Sequence, residues 1–178
     1  MSKYKNFLVI IPARKGSKRL LKKNRKKILG MPLAELTIKF ASEIFPHRNI
    51  LFSSNDENLL NKKSIISYGI NIKKRKESLS GSRANINSVI LEIINLKEFS
   101  SFEHIVLLQP TSPIRSKSLF KRALNDYLKQ KKQSYVSAKK IESKYIYTLE
   151  NKHLHNLNKI FIPNGNFYFS SISLFKRK

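Results

Sequence analysis

A chain of 178 residues, of which 40% are hydrophobic, can bury one apolar core and is too short for two ordinary domains, so we predict a single domain over residues 1–178. The absence of cysteine excludes a disulfide framework and a cysteine-based zinc site, and the four histidines do not show metal-ligand spacing. No stretch of the sequence is long enough to cross a bilayer, so we expect a cytoplasmic protein without a membrane partner.

The formal net charge of +25 at pH 7 first indicates a polyanionic partner such as nucleic acid. The basic residues, however, form separate clusters at 22–27, 73–76, 129–132, 139–140 and 176–178 rather than one helix face or one tail. The chain is also rich in Asn and Ile, whose codons are A/T-rich like those of Lys, and a coding bias would produce solvated lysines without selection for binding. We favour solvated lysines, and a nucleic-acid-binding protein stays an alternative that rests on charge alone.

Short apolar segments, each followed by polar or turn residues, predict buried strands at Phe7 to Ala13, Asn49 to Ser54, Ile70 to Lys74, His104 to Gln109 and Ser134 to Ala138. Between them, helical spacing of apolar residues and flanking proline or glycine predict helices over 33–45, 57–68, 87–96 and 116–131. This alternation predicts an α/β fold with a mainly parallel sheet and helices on both faces.

The alternation stops at Lys139. Residues 139–162 mix aromatic and polar residues and predict an excursion from the sheet, such as a hairpin, before a return strand at Phe167 to Ser170. Neither an internal repeat nor a low-complexity linker marks a domain boundary.

The loop after the first strand has the residues of a phosphate-binding site, and ligands of open α/β sheets bind beyond the carboxyl ends of the strands. Gly16 lets the backbone approach a triphosphate, and Ser17 can donate to a phosphate oxygen. Arg14 and Lys18 can neutralise charge on a leaving pyrophosphate. The spacing is neither that of a Walker loop nor Gly-x-Gly-x-x-Gly. On local chemistry alone, a phosphate cradle and a solvated basic loop fit these residues equally well.

Two longer motifs identify the chemistry by resemblance. The first is Ile11-Pro12-Ala13-Arg14-x-Gly16-Ser17-Lys18, followed by Lys23-Asn24 and Leu29-Gly30-Met31-Pro32-Leu33. The second is Leu107-Leu108-Gln109-Pro110-Thr111-Ser112-Pro113-Ile114-Arg115. Both resemble motifs of the acylneuraminate cytidylyltransferases, and weaker similarities at 52–57, 75, 79–85 and 163–168 extend the resemblance over nearly the whole chain. The related deoxy-octulosonate cytidylyltransferases share the Ile-Pro-Ala-Arg start, so the first motif defines the superfamily better than the substrate.

This resemblance implies a Rossmann-like nucleotide-diphospho-sugar transferase fold and an enzyme, a cytidylyltransferase. Such an enzyme transfers CMP from CTP to an acidic nonulosonic, sialic-acid-like sugar and releases pyrophosphate. The resemblance also implies Mg²⁺ as cofactor. We expect a homodimer in which the excursion over 139–162 contacts the partner copy.

Carried over residue by residue, the resemblance assigns nucleotide binding to Arg14, Gly16, Ser17, Lys18, Asn24, Arg75 and Asn85. It places Gln109 towards the sugar acceptor and Asn164 in the sugar pocket, and it implies Arg14, Lys18 and Gln109 as the catalytic residues. From the residues themselves, Arg75 is equally well a strand-end cation in water. Asn85 is equally well a helix N-cap.

The chain also departs from the family pattern. The magnesium carboxylates of the family lie in an Asp-x-Asp type motif beyond the Asn-Gly strand, and this motif does not occur before Lys178. The only aspartates are Asp56 and Asp126, of which Asp56 could compensate for the strand-end aspartate that Asn55 replaces. Ile162 stands where sialic-acid enzymes commonly place an arginine. The metal ligands and the acidic sugar therefore stay open, and the alternative is a catalytically impaired nucleotide-binding relative.

Overall fold

The computed structural model describes residues 3–16, 20–81, 84–130, 134–142, 147–150, 153–156 and 159–176. Its strands are β1 (Phe7–Ala13), β2 (Lys27–Ile28), β3 (Met31–Pro32), β4 (Ile50–Ser54), β5 (Asn71–Lys74), β6 (His104–Leu107), β7 (Ser134–Glu142), β8 (Tyr147–Glu150), β9 (His153–Asn156) and β10 (Lys159–Ser171). Its α-helices are α1 (Leu33–Ser42), α2 (Glu57–Leu60), α3 (Lys63–Ile66), α4 (Ile86–Ile94), α5 (Lys117–Lys129) and α6 (Ile172–Lys176).

Six strands form the main sheet in the order β5-β4-β1-β6-β10-β7. The neighbouring strands β5, β4, β1 and β6 run parallel, whereas β10 runs antiparallel to both β6 and β7. Parallel neighbours need crossover connections, and the helical segments between these strands provide them. The predicted α/β fold with a mainly parallel sheet is confirmed.

The central strand β1 contributes to a separate apolar core on each face of the sheet. Successive side chains of a strand point to opposite faces. On one face Phe7, Val9 and Ile11 join a core with α1 and α5, and on the other Leu8 and Ile10 join a core with α4 and α6. Each such buried aliphatic side chain stabilises the fold by about 2 kcal/mol. This two-sided burial explains why β1 is a continuous apolar run.

The helix predicted over 57–68 is wrong as a single element, because the structure has α2 and α3 with a break at Asn61 and Lys62. Leu59, Leu60 and Ile65 are all buried. At 100° per residue a straight helix would point these three side chains in widely different directions, so they could not all reach one core. Asn61 favours leaving the helix, and the extended Lys62 reorients the following turn.

The excursion predicted over 139–162 is an extension of two strands. β7 continues to Glu142 and β10 begins at Lys159, and the two pair antiparallel, with the β8–β9 hairpin between them in the chain. The return strand predicted at 167–170 is the carboxyl-terminal part of β10. The paired residues 139–142 of β7 and 159–162 of β10 form an arm, on which Phe161 and Ile162 are exposed. Contact of the arm with a partner copy stays a prediction.

Among the residues that the structure describes, no helix has both the length and the apolar character needed to cross a bilayer.

His104, at the start of β6, is a partly buried histidine that packs against two aromatic side chains. Its ring stacks on Phe7 at a centroid distance of 4.8 Å, and its Nδ1 lies 3.0 Å from the Tyr127 hydroxyl oxygen. Burial lowers the pKa of His104, and nearby Glu103 opposes this shift only in part. The unfolded chain therefore binds a proton at a pH where the folded chain does not, so protonation favours unfolding.

We expect the free energy of unfolding to fall as the pH decreases from about 7 to about 5, and His104→Gln to reduce this slope. Urea unfolding across this pH range is the measurement, with His47→Gln, at an exposed histidine, as the control. An unchanged slope in His104→Gln would show that this imidazole does not contribute.

Candidate functional site

The candidate site lies where the parallel strands end. β1, β5 and β6 end at one edge of the sheet, and Arg14, Arg75 and Gln109 follow them. All three line one cavity of about 380 Å³, together with Gly16 and Asn24. Five of the residues predicted to bind nucleotide or sugar acceptor are thus brought together, whereas Ser17 and Lys18 lie outside the described residues.

Hydrogen bonds with two asparagine side chains position the backbone of the loop after β1. The buried Asn24 donates from Nδ2 to the Arg14 carbonyl oxygen at 2.9 Å, and the Lys15 amide donates to Asn55 Oδ1 at 2.8 Å. The side chains of Asn24 and Asn55 therefore fix the backbone of the loop at Arg14 and Lys15. A Cβ built on Gly16 would have no neighbouring atom within 4 Å, so packing does not require this glycine. The free space above its backbone is available to a ligand.

The guanidinium groups of Arg14 and Arg75 both line the cavity and lie close enough to repel each other. Arg75 is only 5% exposed, and it donates from Nη2 to the Ser53 carbonyl oxygen at 3.1 Å and from Nε to Ser53 Oγ at 3.4 Å. Burial lowers the pKa of Arg75 to about 10, the positive charge of Arg14 adds to this effect, and Glu92 opposes it. The Arg75 cation is thus held among neutral oxygens beside a second cation. An anion in the cavity would relieve both the repulsion and the cost of burial.

Gln109 connects this cavity to a second one. A mainly apolar cavity of about 480 Å³ lies between α4, α6 and the β6–β10–β7 part of the sheet, and it shares Ile86 and Gln109 with the first. Its apolar lining includes Leu107, Tyr168 and Phe175. Gln109 can therefore contact ligands in both cavities, one lined by cations and one lined mainly by hydrocarbon.

Two other predicted residues have local structural contacts. The Asn85 side chain is the N-cap of α4 and accepts from the Asn87 amide at 2.9 Å, while its neighbours Ala84 and Ile86 line the first cavity. Asn164 Oδ1 accepts from Ser137 Oγ at 2.7 Å and from the Asn166 amide at 3.2 Å, where the register of β10 shifts. Neither Asn85 nor Asn164 is one of the described residues that line the two cavities. Ligand binding by these two side chains stays a prediction.

Three residues at the site were given no role by the sequence. Lys23 and Thr111 line the first cavity. Arg115 donates from Nη2 to the Gln109 carbonyl oxygen at 2.5 Å. All three belong to the two motifs on which the resemblance rests, so their place in these motifs could have predicted that they lie at the site.

Asp56, the aspartate beside the strand end, is already paired. Its carboxylate accepts from Arg25 Nε at 2.6 Å and from Arg25 Nη2, and its Oδ1 accepts from the Asn58 amide as the N-cap of α2. The side chain is 1% exposed. Over the described ranges, His, Asp and Glu do not form a group of three that could hold a metal ion. These residues do not fit a protein-held magnesium site.

Comparison with known proteins identifies the family of the chain. A family model described as cytidylyltransferase matches residues 8–171. A pseudaminic acid cytidylyltransferase of Campylobacter jejuni is 26% identical, over 92% of this chain and 78% of its own length. An N-acylneuraminate cytidylyltransferase of Streptococcus agalactiae is 28% identical over 96% of this chain, which spans 45% of that longer relative.

A solved structure supports the fold. A CMP:2-keto-3-deoxy-manno-octonic acid synthetase, solved in complex with CTP, superposes with a TM-score of 0.65 at 13% identity. The match covers 96% of this chain and 76% of that protein. At this identity the similarity shows the fold alone.

The Arg25–Asp56 pair generates a prediction that separates a structural carboxylate from a metal ligand. Asp56→Asn removes the charge that compensates Arg25, so we expect the free energy of unfolding to fall by about 2 to 3 kcal/mol. We expect the magnesium dependence of CTP binding to stay unchanged. Urea unfolding and calorimetric titration are the measurements, with Asp126→Asn as the matched control. A lost magnesium dependence in Asp56→Asn alone would identify Asp56 as a metal ligand.

Proposed function

The chain belongs to the cytidylyltransferase family, and from this premise we propose that it transfers CMP from CTP to an acidic nonulosonic sugar with release of pyrophosphate. One observation carries the proposal. A cavity lined by two adjacent guanidiniums shares Gln109 with an apolar cavity. The first has the chemistry to bind a polyanion and the second the chemistry to bind acyl or methyl groups, so a nucleotide and an acylated acid would meet at Gln109.

On the nucleotide side, the loop after β1 would contact the triphosphate. Arg14 lines the cavity and is held by a hydrogen bond from its Nη1 to the Gly81 carbonyl oxygen at 2.8 Å. Gly16 leaves its backbone open to solvent, which permits close approach of phosphate oxygens. In this proposal Ser17 and Lys18 add a hydroxyl donor and a further cation, and the buried Arg75 donates to the nucleotide from the floor of the cavity.

On the acceptor side, the second cavity would hold the sugar acid. Its apolar lining is suited to acyl groups, and the name of the Streptococcus relative specifies an N-acylated acid. Burying an acyl methyl group against such a surface contributes about 1 kcal/mol, whereas a hydroxyl without a partner would lose free energy there. We therefore propose an acylated nonulosonic acid as the acceptor class.

The reaction is an in-line displacement at phosphorus. The anomeric hydroxyl oxygen of the acid forms a bond to the α-phosphorus of CTP, and the bond from that phosphorus to the bridging oxygen of the β-phosphate breaks. Pyrophosphate leaves with the bonding electron pair, and the hydroxyl proton passes to water. The protein contributes positioning and charge: Gln109 would orient the acceptor, and Arg14 and Lys18 would stabilise negative charge on the departing phosphates.

A second candidate is nucleotide binding without turnover. It is favoured by the pairing of Asp56 with Arg25, which leaves the described part of the site without a carboxylate for a metal ion. Both candidates require CTP to bind, and they differ only in whether pyrophosphate is released.

The first test measures pyrophosphate release from CTP in magnesium-containing buffer with a panel of acids. The panel contains pseudaminic acid, N-acetylneuraminate and 3-deoxy-manno-octulosonate, and controls omit the acid or replace CTP with ATP. We expect release that requires both CTP and an acylated nonulosonic acid. Calorimetric CTP binding without release with any acid would instead support the second candidate.

The second test asks whether Arg75 serves the nucleotide. Arg75→Met preserves volume and removes a buried charge, so the fold loses little stability. We expect CTP affinity to fall about tenfold to a hundredfold, because a charge-assisted hydrogen bond contributes about 1.5 to 3 kcal/mol. Calorimetric titration is the measurement, and Arg48→Met at an exposed arginine controls for the change in net charge. Equal affinities in Arg75→Met and the unmodified protein would remove Arg75 from the site.

A further inference from the structure

The side chain of Arg115, in the second motif, contacts three separate parts of the fold. Its Nη2 donates to the Gln109 carbonyl oxygen at 2.5 Å, and its Nε donates to the Asn166 carbonyl oxygen at 2.8 Å. Its Nη1 lies 3.3 Å from Thr37 Oγ1 on α1, and the guanidinium lies over the Phe40 ring, 5.6 Å from its centroid. One planar group thus fixes the loop after β6 against β10 and against α1.

The contacts around Gly165 show what this attachment controls. Ser112 Oγ, in the same loop, donates to the Asn164 carbonyl oxygen at 3.2 Å. Between Asn164 and Asn166 lies Gly165, with φ +75°, and a Cβ built there would lie 3.1 Å from Ser112 Oγ and 3.2 Å from Gln109 Oε1. The backbone of β10 therefore packs directly against the carboxamide of Gln109, so any separation of the loop from β10 would release that side chain.

The Arg115 guanidinium is buried among neutral hydrogen-bond acceptors. Burial lowers the pKa of Arg115 to about 10. Its hydrogen-bond partners are two carbonyl oxygens and a hydroxyl, all neutral. A buried charge among neutral acceptors is costly to fold, and a lysine could not reach three diverging acceptors from one planar fork. The geometry of the guanidinium, more than its charge, is what the site uses.

We propose that Arg115 is a positioning residue for the acceptor acid, which acts by holding the Gln109 loop against the Gly165 segment of β10. The inference rests on the proposed function. Arg115 does not line either cavity, so it acts through Gln109, which lines both. Its loss should therefore affect the acid more strongly than CTP. Gln109, Pro110 and Thr111 also line the first cavity, but its cations Arg14 and Arg75 belong to the loops after β1 and β5.

The experiment compares Arg115→Lys and Arg115→Gln with Arg122→Lys and Arg122→Gln, which make the same changes at an exposed position of α5. For each protein, kcat/KM is measured for the acid of the panel that releases most pyrophosphate. CTP affinity is measured by calorimetry without acid, and Tm by thermal unfolding. We expect kcat/KM for the acid to fall about tenfold in Arg115→Lys and further in Arg115→Gln, with CTP affinity within about twofold of the unmodified protein.

A second variant keeps the test decisive if the Arg115 variants do not fold. Ser112→Ala removes the neighbouring attachment to Asn164 without burying or removing a charge. We expect a smaller decrease of kcat/KM for the acid, again with unchanged CTP affinity. The same selectivity for the acid in both positions would support the proposal.

Three results would overturn it. A parallel loss of CTP affinity and acid turnover with a lowered Tm would show a merely structural arginine. Unchanged kcat/KM for the acid in folded Arg115 variants would show that Gln109 does not need this attachment. If the unmodified chain releases no pyrophosphate with any acid, the proposed function fails and the acceptor role of Arg115 fails with it, whereas the first two results leave the proposed function standing.

Discussion

The site depends on the parallel pairing of β1 with β4 on one side and with β6 on the other. Parallel neighbours end at the same edge, so the residues that follow β1, β4 and β6 meet there without any further constraint. The pairing is extended beyond the strands, because Ser54 Oγ donates to the Ala13 carbonyl oxygen at 2.5 Å and the Lys15 amide donates to Asn55. These hydrogen bonds fix the backbone at the start of the loop that carries Arg14 and Gly16.

The scarcity of acidic side chains shapes the electrostatics of this edge. The chain has 36 Lys and Arg residues against 11 Asp and Glu, so most cations cannot have a carboxylate partner. The one aspartate near the edge, Asp56, is paired with Arg25 and caps α2. Arg75 and Arg115 instead donate hydrogen bonds to neutral oxygens, and the pKa of each is lowered to about 10, mainly by burial. Of these two arginines, Arg75 lines the cavity and Arg115 does not, so Arg75 is the one available to an anion from solvent.

Much of this arrangement could be predicted from the sequence, and what could not be predicted depends on contacts between distant segments. The apolar run of β1 and the polar residues after it placed the cationic loop correctly, because strand burial and chain order are local signals. The break between α2 and α3 was missed because it depends on which way Leu59, Leu60 and Ile65 must face in the folded core. The pairing of Asp56 with Arg25 was missed for the same reason, since the two lie 31 positions apart.

Different parts of the sheet form the cationic cavity and the apolar cavity, so the two can change independently of each other. The cationic cavity is formed by loops that follow the parallel strands β1, β5 and β6, whereas the apolar cavity includes residues of the antiparallel β10 and β7. Residues in β10 and β7 can therefore change the shape of the apolar cavity without altering the loop that carries Arg14. Gln109 lines both cavities, so under the proposed function its orientation would have to persist when the apolar cavity changes. Arg115 binds the Gln109 carbonyl oxygen from a position that lines neither cavity, so residues lining the apolar cavity can vary without removing this hydrogen bond.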